Sequence, residues 1–270
     1  MATPPTSAVR FALLDAIPNI RYVVTDAGRT SNSPFGNLSL SPNGITPDAI
    51  RNRETAASVL GTPLSQCIFM HQEHTNHVEC VDDQHAGRGA YSYDNAIRAT
   101  DGIATATPGL GLFALAADCQ PILLYAPDVH AVAAIHCGWR GTLLNMPQNA
   151  VRTMQKRYGA RPESLIACLA PCIGAHAFEI REDVASLFRN SGYNIPLLPH
   201  PDPEKFYVNL PLANSQLLLD AGLCAKHIEI SPLCTYSSWP QFYSARRGDK
   251  ARFAAGITLL PPDQIGLGQK

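Results

Sequence analysis

One stretch, residues 112–141, LFALAADCQPILLYAPDVHAVAAIHCGWRG, constrains this chain more than any other. Its three short apolar runs, 113–116, 122–125 and 131–135, are bounded by turn formers, the pattern of buried strands. Asp118-Cys119 separates the first two runs, and the third ends on His136-Cys137-Gly138-Trp139-Arg140-Gly141. A strand core has no use for Asp-Cys or His-Cys at those places. Polar groups buried there must be satisfied or they cost stability. The placement points to a site.

Elsewhere the chain reads as an ordinary globular protein. With 46% hydrophobic and 16% charged residues it is not a disordered sequence. No apolar run approaches the roughly 20 residues of a spanning helix, and MATPPTSAVRFALLDAIP lacks the order of a signal peptide. The formal charge of −1 gives no global attraction to nucleic acid or to anionic membranes, so neither is expected as a partner. A small anionic ligand would have to be held by a few local cations. Eight scattered cysteines do not form a disulfide framework, and the expected compartment is the cytoplasm with reduced thiols.

Residues 1–19 form a loose lead-in, 20–262 the body of the protein and 263–270 a tail. The first strand is expected at 20–25. Thr46-Pro47-Asp48 opens a helix, with a hydroxyl cap and Pro at the first helical position, and Gly61 closes it. Strands follow at 66–70 and 101–105, separated by a polar segment at 82–100 long enough to be a covering element. A helix begins at Asn145-Met146-Pro147, presents Val151, Met154 and Tyr158 on one face, and ends at Gly159. Further helices are expected at 181–192 and 211–222, and strands at 164–169, 228–231 and 257–260. The whole is predicted as a single α+β domain of mixed β-sheets with flanking helices, its site at strand ends.

His74, Cys119 and His136 each stand just after a predicted strand or in the turn it enters. Neutral imidazole and thiolate are good zinc ligands, and three protein ligands with one open position describe a catalytic zinc. The same set suits copper, and three unrelated side chains are the plain alternative. Cys119 can equally be a nucleophile with His136 as its base and Asp118 orienting it. His71, His74 and His77 have helical spacing, but the extended residues after them leave one histidine acting alone. Arg53 is either a solvated helix residue or an anion clamp, for which the guanidinium fork is suited. Arg140, Arg246 and Arg247 carry the same ambiguity. Cys168 and Cys172 are expected to be plain buried thiols.

These pieces together resemble the YfiH/laccase-domain family, the multicopper polyphenol-oxidase-like proteins. The resemblance runs from about residue 20 to 260. It rests on Asn52-Arg53, Gln72-x-His74, Asp101-Gly102-Ile103, Ala117-Asp118-Cys119-Gln120-Pro121, His136-Cys137-Gly138-Trp139-Arg140-Gly141, Ala170-Pro171-x-Ile173-Gly174, Cys234-Thr235-Tyr236 and Ser244-x-Arg246-Arg247. It implies a single Zn²⁺, with copper as the older attribution, held by His74, Cys119 and His136, and a phosphate contact at Arg53. It implies phosphorolysis of purine nucleosides and deamination of adenosine. Asp118, Arg53 and Cys119 are then the expected catalytic residues, and Arg53, Arg140 and Arg246 the substrate-binding ones. The expected ligands are purine nucleosides and phosphate, in a monomer or weak homodimer.

Overall fold

The computed structural model describes residues 6–40, 47–193, 195 and 197–264. Among these the strands are β1 (Ile20–Val24), β2 (Cys67–Phe69), β3 (Val78–Cys80), β4 (Gly102–Thr105), β5 (Gly111–Ala116), β6 (Gln120–Ala126), β7 (Ala131–Cys137), β8 (Ile166–Leu169), β9 (Glu179–Arg181), β10 (Leu197–Pro199), β11 (Lys205–Val208), β12 (Ile228–Ile230) and β13 (Phe253–Leu259). The α-helices are α1 (Ala12–Asp15), α2 (Ala49–Leu60), α3 (Trp139–Leu143), α4 (Met146–Tyr158), α5 (Glu182–Arg189) and α6 (Leu210–Asp220).

Six strands form a mixed sheet in the order β12-β8-β6-β7-β4-β3, and four form a second in the order β1-β13-β5-β2. Side-chain alternation along β6 and β7 explains their unbroken apolar sequence. Leu123, Tyr125, Val132 and Ala134 meet Leu112, Ala114 and Ala255 of the four-stranded sheet. Ile122, Leu124, Ala133 and Ile135 point the other way, against Val151 and Met154 of α4 and Leu218 of α6. On the far side of the four-stranded sheet, Val23, Phe113 and Ala254 meet Ala56, Ala57 and Leu60 of α2. The layers therefore run helix, sheet, sheet, helix. A strand covered on both faces has no polar face to show. Burying each such Leu or Ile contributes about 1.5–3 kcal/mol, which outweighs any local propensity.

This α+β architecture is the expected one, with four differences of detail. The lead-in is not loose before β1: Phe11 and Leu14 are buried in the inter-sheet core, and the Ala8 N–H donates to Val24 O at 2.8 Å. The last strand starts at Phe253, because Phe253-Ala254-Ala255-Gly256 lies fully buried between β1 and β5. A small third sheet, β10-β11-β9, was not expected, since its strands are three or four residues long and mostly half-exposed. It packs with α5 through Ile180, Phe188 and Val208 into a satellite cluster. Thr46, the expected cap, lies outside the described residues, and α2 begins at Ala49 after Asp48 and closes on Gly61 in the left-handed conformation (φ 70°).

The site forms where the two large sheets meet. β5 belongs to one sheet and β6 to the other, so the turn at residues 117–119 steps between layers. β2 leads to His74 from the four-stranded sheet, and β7 delivers His136 from the six-stranded one.

Candidate metal centre

His74 Nε2 lies 3.8 Å from Cys119 Sγ. The His74 and His136 rings stand nearly edge-on with centroids 5.1 Å apart. One ligand atom from each of the three residues lies within 4.8 Å of the others. At zinc bond lengths of about 2.3 Å to sulfur and 2.1 Å to nitrogen, a tetrahedral angle puts sulfur and nitrogen about 3.6 Å apart. The observed spacing fits, and the borderline-soft donor set suits zinc or copper. Gly138 permits this approach, because a Cβ there would stand 2.5 Å from Cys119 Sγ.

Two aspartates brace the segments that carry the three candidate ligands. Asp101, fully buried, accepts from His136 Nδ1 at 2.8 Å and from the backbone N–H groups of Glu73, His74 and Thr75 at 3.1, 3.1 and 2.6 Å. One carboxylate thereby fixes the tautomer of one ligand and the backbone of another, as orienting carboxylates of metal histidines do. Antiparallel pairing of β4 with β7, Gly102 opposite Ile135, brings it there. Asp118 does not touch Cys119 but, as its neighbour in the chain, ties that turn to two other loops. Its carboxylate accepts from Thr235 Oγ1 at 2.6 Å, Ser244 Oγ at 3.0 Å and the Arg246 N–H at 2.7 Å. His74 and Asp118 are both left-handed (φ 61° and 85°). Such backbone costs about 1–3 kcal/mol per non-glycine residue, and the two hydrogen-bonded carboxylates offset it.

The electrostatics separate neighbouring cysteines. Burial alone would raise the Cys119 thiol, but the charge and hydrogen bonds of His136 and His74 bring it down to about 6. Burial would lower His136, yet Cys119 and Asp101 hold it up at about 9. Asp101, despite burial, is drawn down to about 2 by His136 and the Thr75 donors. Cys137 on the same strand as His136 is pushed by burial up to about 12, and its Sγ lies 3.2 Å from Asn214 Oδ1. Of these two, Cys119 is the one poised as a thiolate ligand or nucleophile.

The three ligands line a cavity of about 490 Å³ whose wall carries Arg53, Lys250 and Arg252 and, among the described residues, no carboxylate. Arg53 is 2% exposed. It lies on the inner face of α2, donates through Nε to Leu38 O at 2.7 Å and through Nη1 to Gly89 O and Ala90 O, and stacks on Phe69. Burial lowers it to about 9, still a cation at neutral pH. The helix position is therefore not a solvated one. Gly89, Tyr93 and Ala96 bring the segment 82–100 into the same wall. A second cavity of about 300 Å³ shares His74 and Cys119 and is lined by Trp139, Ile173, Phe178, Leu210 and Arg246.

Other expected residues lie elsewhere. Arg140 is exposed, stacks on Trp139 at 4.2 Å and lines neither cavity. Arg246 reaches the smaller cavity while donating to Glu179 O at 3.0 Å. Arg247 braces a loop. His71 packs beside Tyr93, and His77 pairs with Glu79 at the surface. Cys168 and Cys172 are buried thiols raised by desolvation. Asp118, considered as the residue orienting His136, has its carboxylate engaged elsewhere; Asp101 takes that place. The motif containing Asp101 was visible in the sequence, but its role was not. Lys250 and Arg252 carried no signal beyond basic residues in a loop.

The family model for multi-copper polyphenol oxidoreductase laccase matches residues 21–260. The chain is 31% identical over 226 residues to purine nucleoside phosphorylase YlmD of Bacillus subtilis (strain 168), covering 83% of this chain and 81% of that protein. It is 30% identical over 208 residues to adenosine deaminase RL5 from an unknown prokaryotic organism, covering 75% and 79%. The crystal structure of the hypothetical protein YfiH from Bacillus licheniformis superposes with a TM-score of 0.82 at 29% identity, over 90% of this chain and 97% of that one.

Proposed function

The chain belongs to the multi-copper polyphenol oxidoreductase laccase family, and we propose that it is a zinc-dependent purine nucleoside phosphorylase. It converts adenosine, inosine or guanosine with phosphate to the free base and ribose-1-phosphate, and methylthioadenosine to adenine and 5-methylthioribose-1-phosphate, and deaminates adenosine in the same site. One observation carries this reading: a His-Cys-His donor set opens into a cavity walled by cations with no carboxylate among the described residues. That wall suits an anionic co-substrate, and relatives named as a purine nucleoside phosphorylase and an adenosine deaminase match 83% and 75% of the chain.

Zinc held by His74, Cys119 and His136 would supply a Lewis-acid position for a phosphate oxygen or a water. Phosphorolysis forms a bond from a phosphate oxygen to C1′ of the ribose and breaks the C1′–N9 bond. The purine leaves with that electron pair and gains one proton. Arg53 holds the anion from the cavity floor, and holding it against the sugar supplies much of the rate. Asp101 keeps His136 in one tautomer. Asp118, with three donors on its carboxylate, acts by bracing the Cys119 turn rather than as the proton donor to the base.

The depressed Cys119 beside His136 also favours a second reading, a cysteine hydrolase. A copper-dependent polyphenol oxidase would need several coppers, and the described residues hold one donor group. Incubating metal-quantified protein with adenosine, with and without phosphate, separates the cases. Adenine plus ribose-1-phosphate identifies the phosphorylase, and inosine the deaminase. Turnover that survives chelation but not alkylation makes it a cysteine hydrolase, and dye oxidation only with copper an oxidase.

A further inference from the structure

The larger cavity holds more positive charge than one phosphate can balance. Arg53 sits at the floor on α2, whereas Lys250 and Arg252 stand at the mouth on the chain that enters β13. Among the described residues none of the three is in an ion pair. The nearest acid in sequence, Asp249, is already engaged by Arg29 at 3.0 Å and Arg247 at 2.9 Å. Arg252 uses Nη1 on the carbonyls of Lys250 and Ala251, which leaves Nε and Nη2 without a partner among the described residues. Lys250 is exposed and makes no side-chain hydrogen bond there. Like charges gathered on one wall repel one another and destabilise the empty cavity. A phosphate monoester carries about −1.5 to −2 at neutral pH, so orthophosphate at Arg53 leaves the mouth uncompensated.

We propose that Lys250 and Arg252 receive a second phosphate group, the 5′-phosphate of a purine nucleoside monophosphate. The cavity then binds phosphorylated nucleosides more tightly than free ones. This rests on the purine-nucleoside reading of the site. Arg252 offers two N–H groups of its fork to the phosphate oxygens, and Lys250 adds a mobile point charge.

Equilibrium dialysis of the metal-loaded protein against AMP and against adenosine tests it. AMP is expected to bind about tenfold more tightly at low salt, with the advantage shrinking as salt rises. Lys250→Gln and Arg252→Gln should each lower the AMP-to-adenosine affinity ratio several-fold. The exposed Lys250 variant keeps the test valid if Arg252→Gln folds poorly. A ratio near one, or a ratio unchanged in both variants, overturns the proposal. So does a rise in the KM for orthophosphate as large as the loss of AMP affinity, since the mouth would then belong to the orthophosphate site. If adenosine is never phosphorolysed while AMP still binds through these residues, the phosphorylase reading fails and the second phosphate site stands.

Discussion

Arg53 and Arg247 make the same start and reach different ends. Each donates to three backbone carbonyls: Leu38, Gly89 and Ala90 for Arg53, and Thr235, Tyr236 and Phe242 for Arg247. Arg247 then meets the Asp249 carboxylate at 2.9 Å, and its charge is spent inside the loop. Arg53 meets no carboxylate among the described residues and turns toward a cavity instead. A buried cation without a partner is expensive. A cation left unbalanced beside a cavity is free to meet an anion, whereas one paired with a carboxylate braces structure.

The largest effect should follow removal of the candidate metal ligand that shares the Arg53 cavity. His136→Ala should lose bound metal together with inosine phosphorolysis, a fall on the order of 10³ in turnover. Metal analysis and product assay read this, and full activity in a metal-free variant would falsify the zinc assignment. A milder cut leaves the ligands and removes their support. Asp101→Asn should weaken metal affinity about 10–100-fold, the range for groups that orient a ligating histidine, as measured by competition with a chelator.

Exchanging the two arginines sharpens the comparison directly. Arg53→Lys should raise the KM for phosphate about tenfold, because an ammonium lacks the planar fork, while metal content stays. Arg247→Lys should cost about 1–3 kcal/mol of stability through lost hydrogen bonds and leave that KM alone. Equal effects on KM would erase the distinction. The smallest effect concerns Asp249. Burial raises its carboxyl, but the Ser244 N–H, Arg29 and Arg247 together hold it below the usual range. A depressed carboxylate stabilises the fold above its unfolded pKa and loses that contribution as pH falls through the folded one. Asp249→Asn should therefore be less stable than the parent at neutral pH by about 1–3 kcal/mol, and the gap in urea melts should close below about pH 4.

The strands around the site were visible because β6 and β7 carry their burial in local sequence: runs of apolar residues stopped by turn formers. The third sheet was not, because Glu179-Ile180-Arg181 and its partners gain their order from α5 and Phe178 rather than from their own pattern. His74, Cys119 and His136 were candidates by residue type at strand ends, and the family motifs singled them out. Their supports were not. Asp101 reaches His136 across a strand pairing that joins residues 35 apart in the chain, and no local spacing records such a meeting.

By itself the sequence determined which segments become buried strands, where helices such as α4 begin and end, and which residues could bind a metal, since these follow from periodicity and side-chain chemistry within a few residues. Tertiary structure alone decided that the 117–119 turn steps between two sheets, that Asp101 rather than Asp118 orients His136, and that Arg53 faces a cavity instead of water. The physical reason is that charge balance and hydrogen-bond partnership are settled by neighbours in space. The stretch at 112–141 supplies Cys119 and His136, and the packing of the two sheets brings His74 to them.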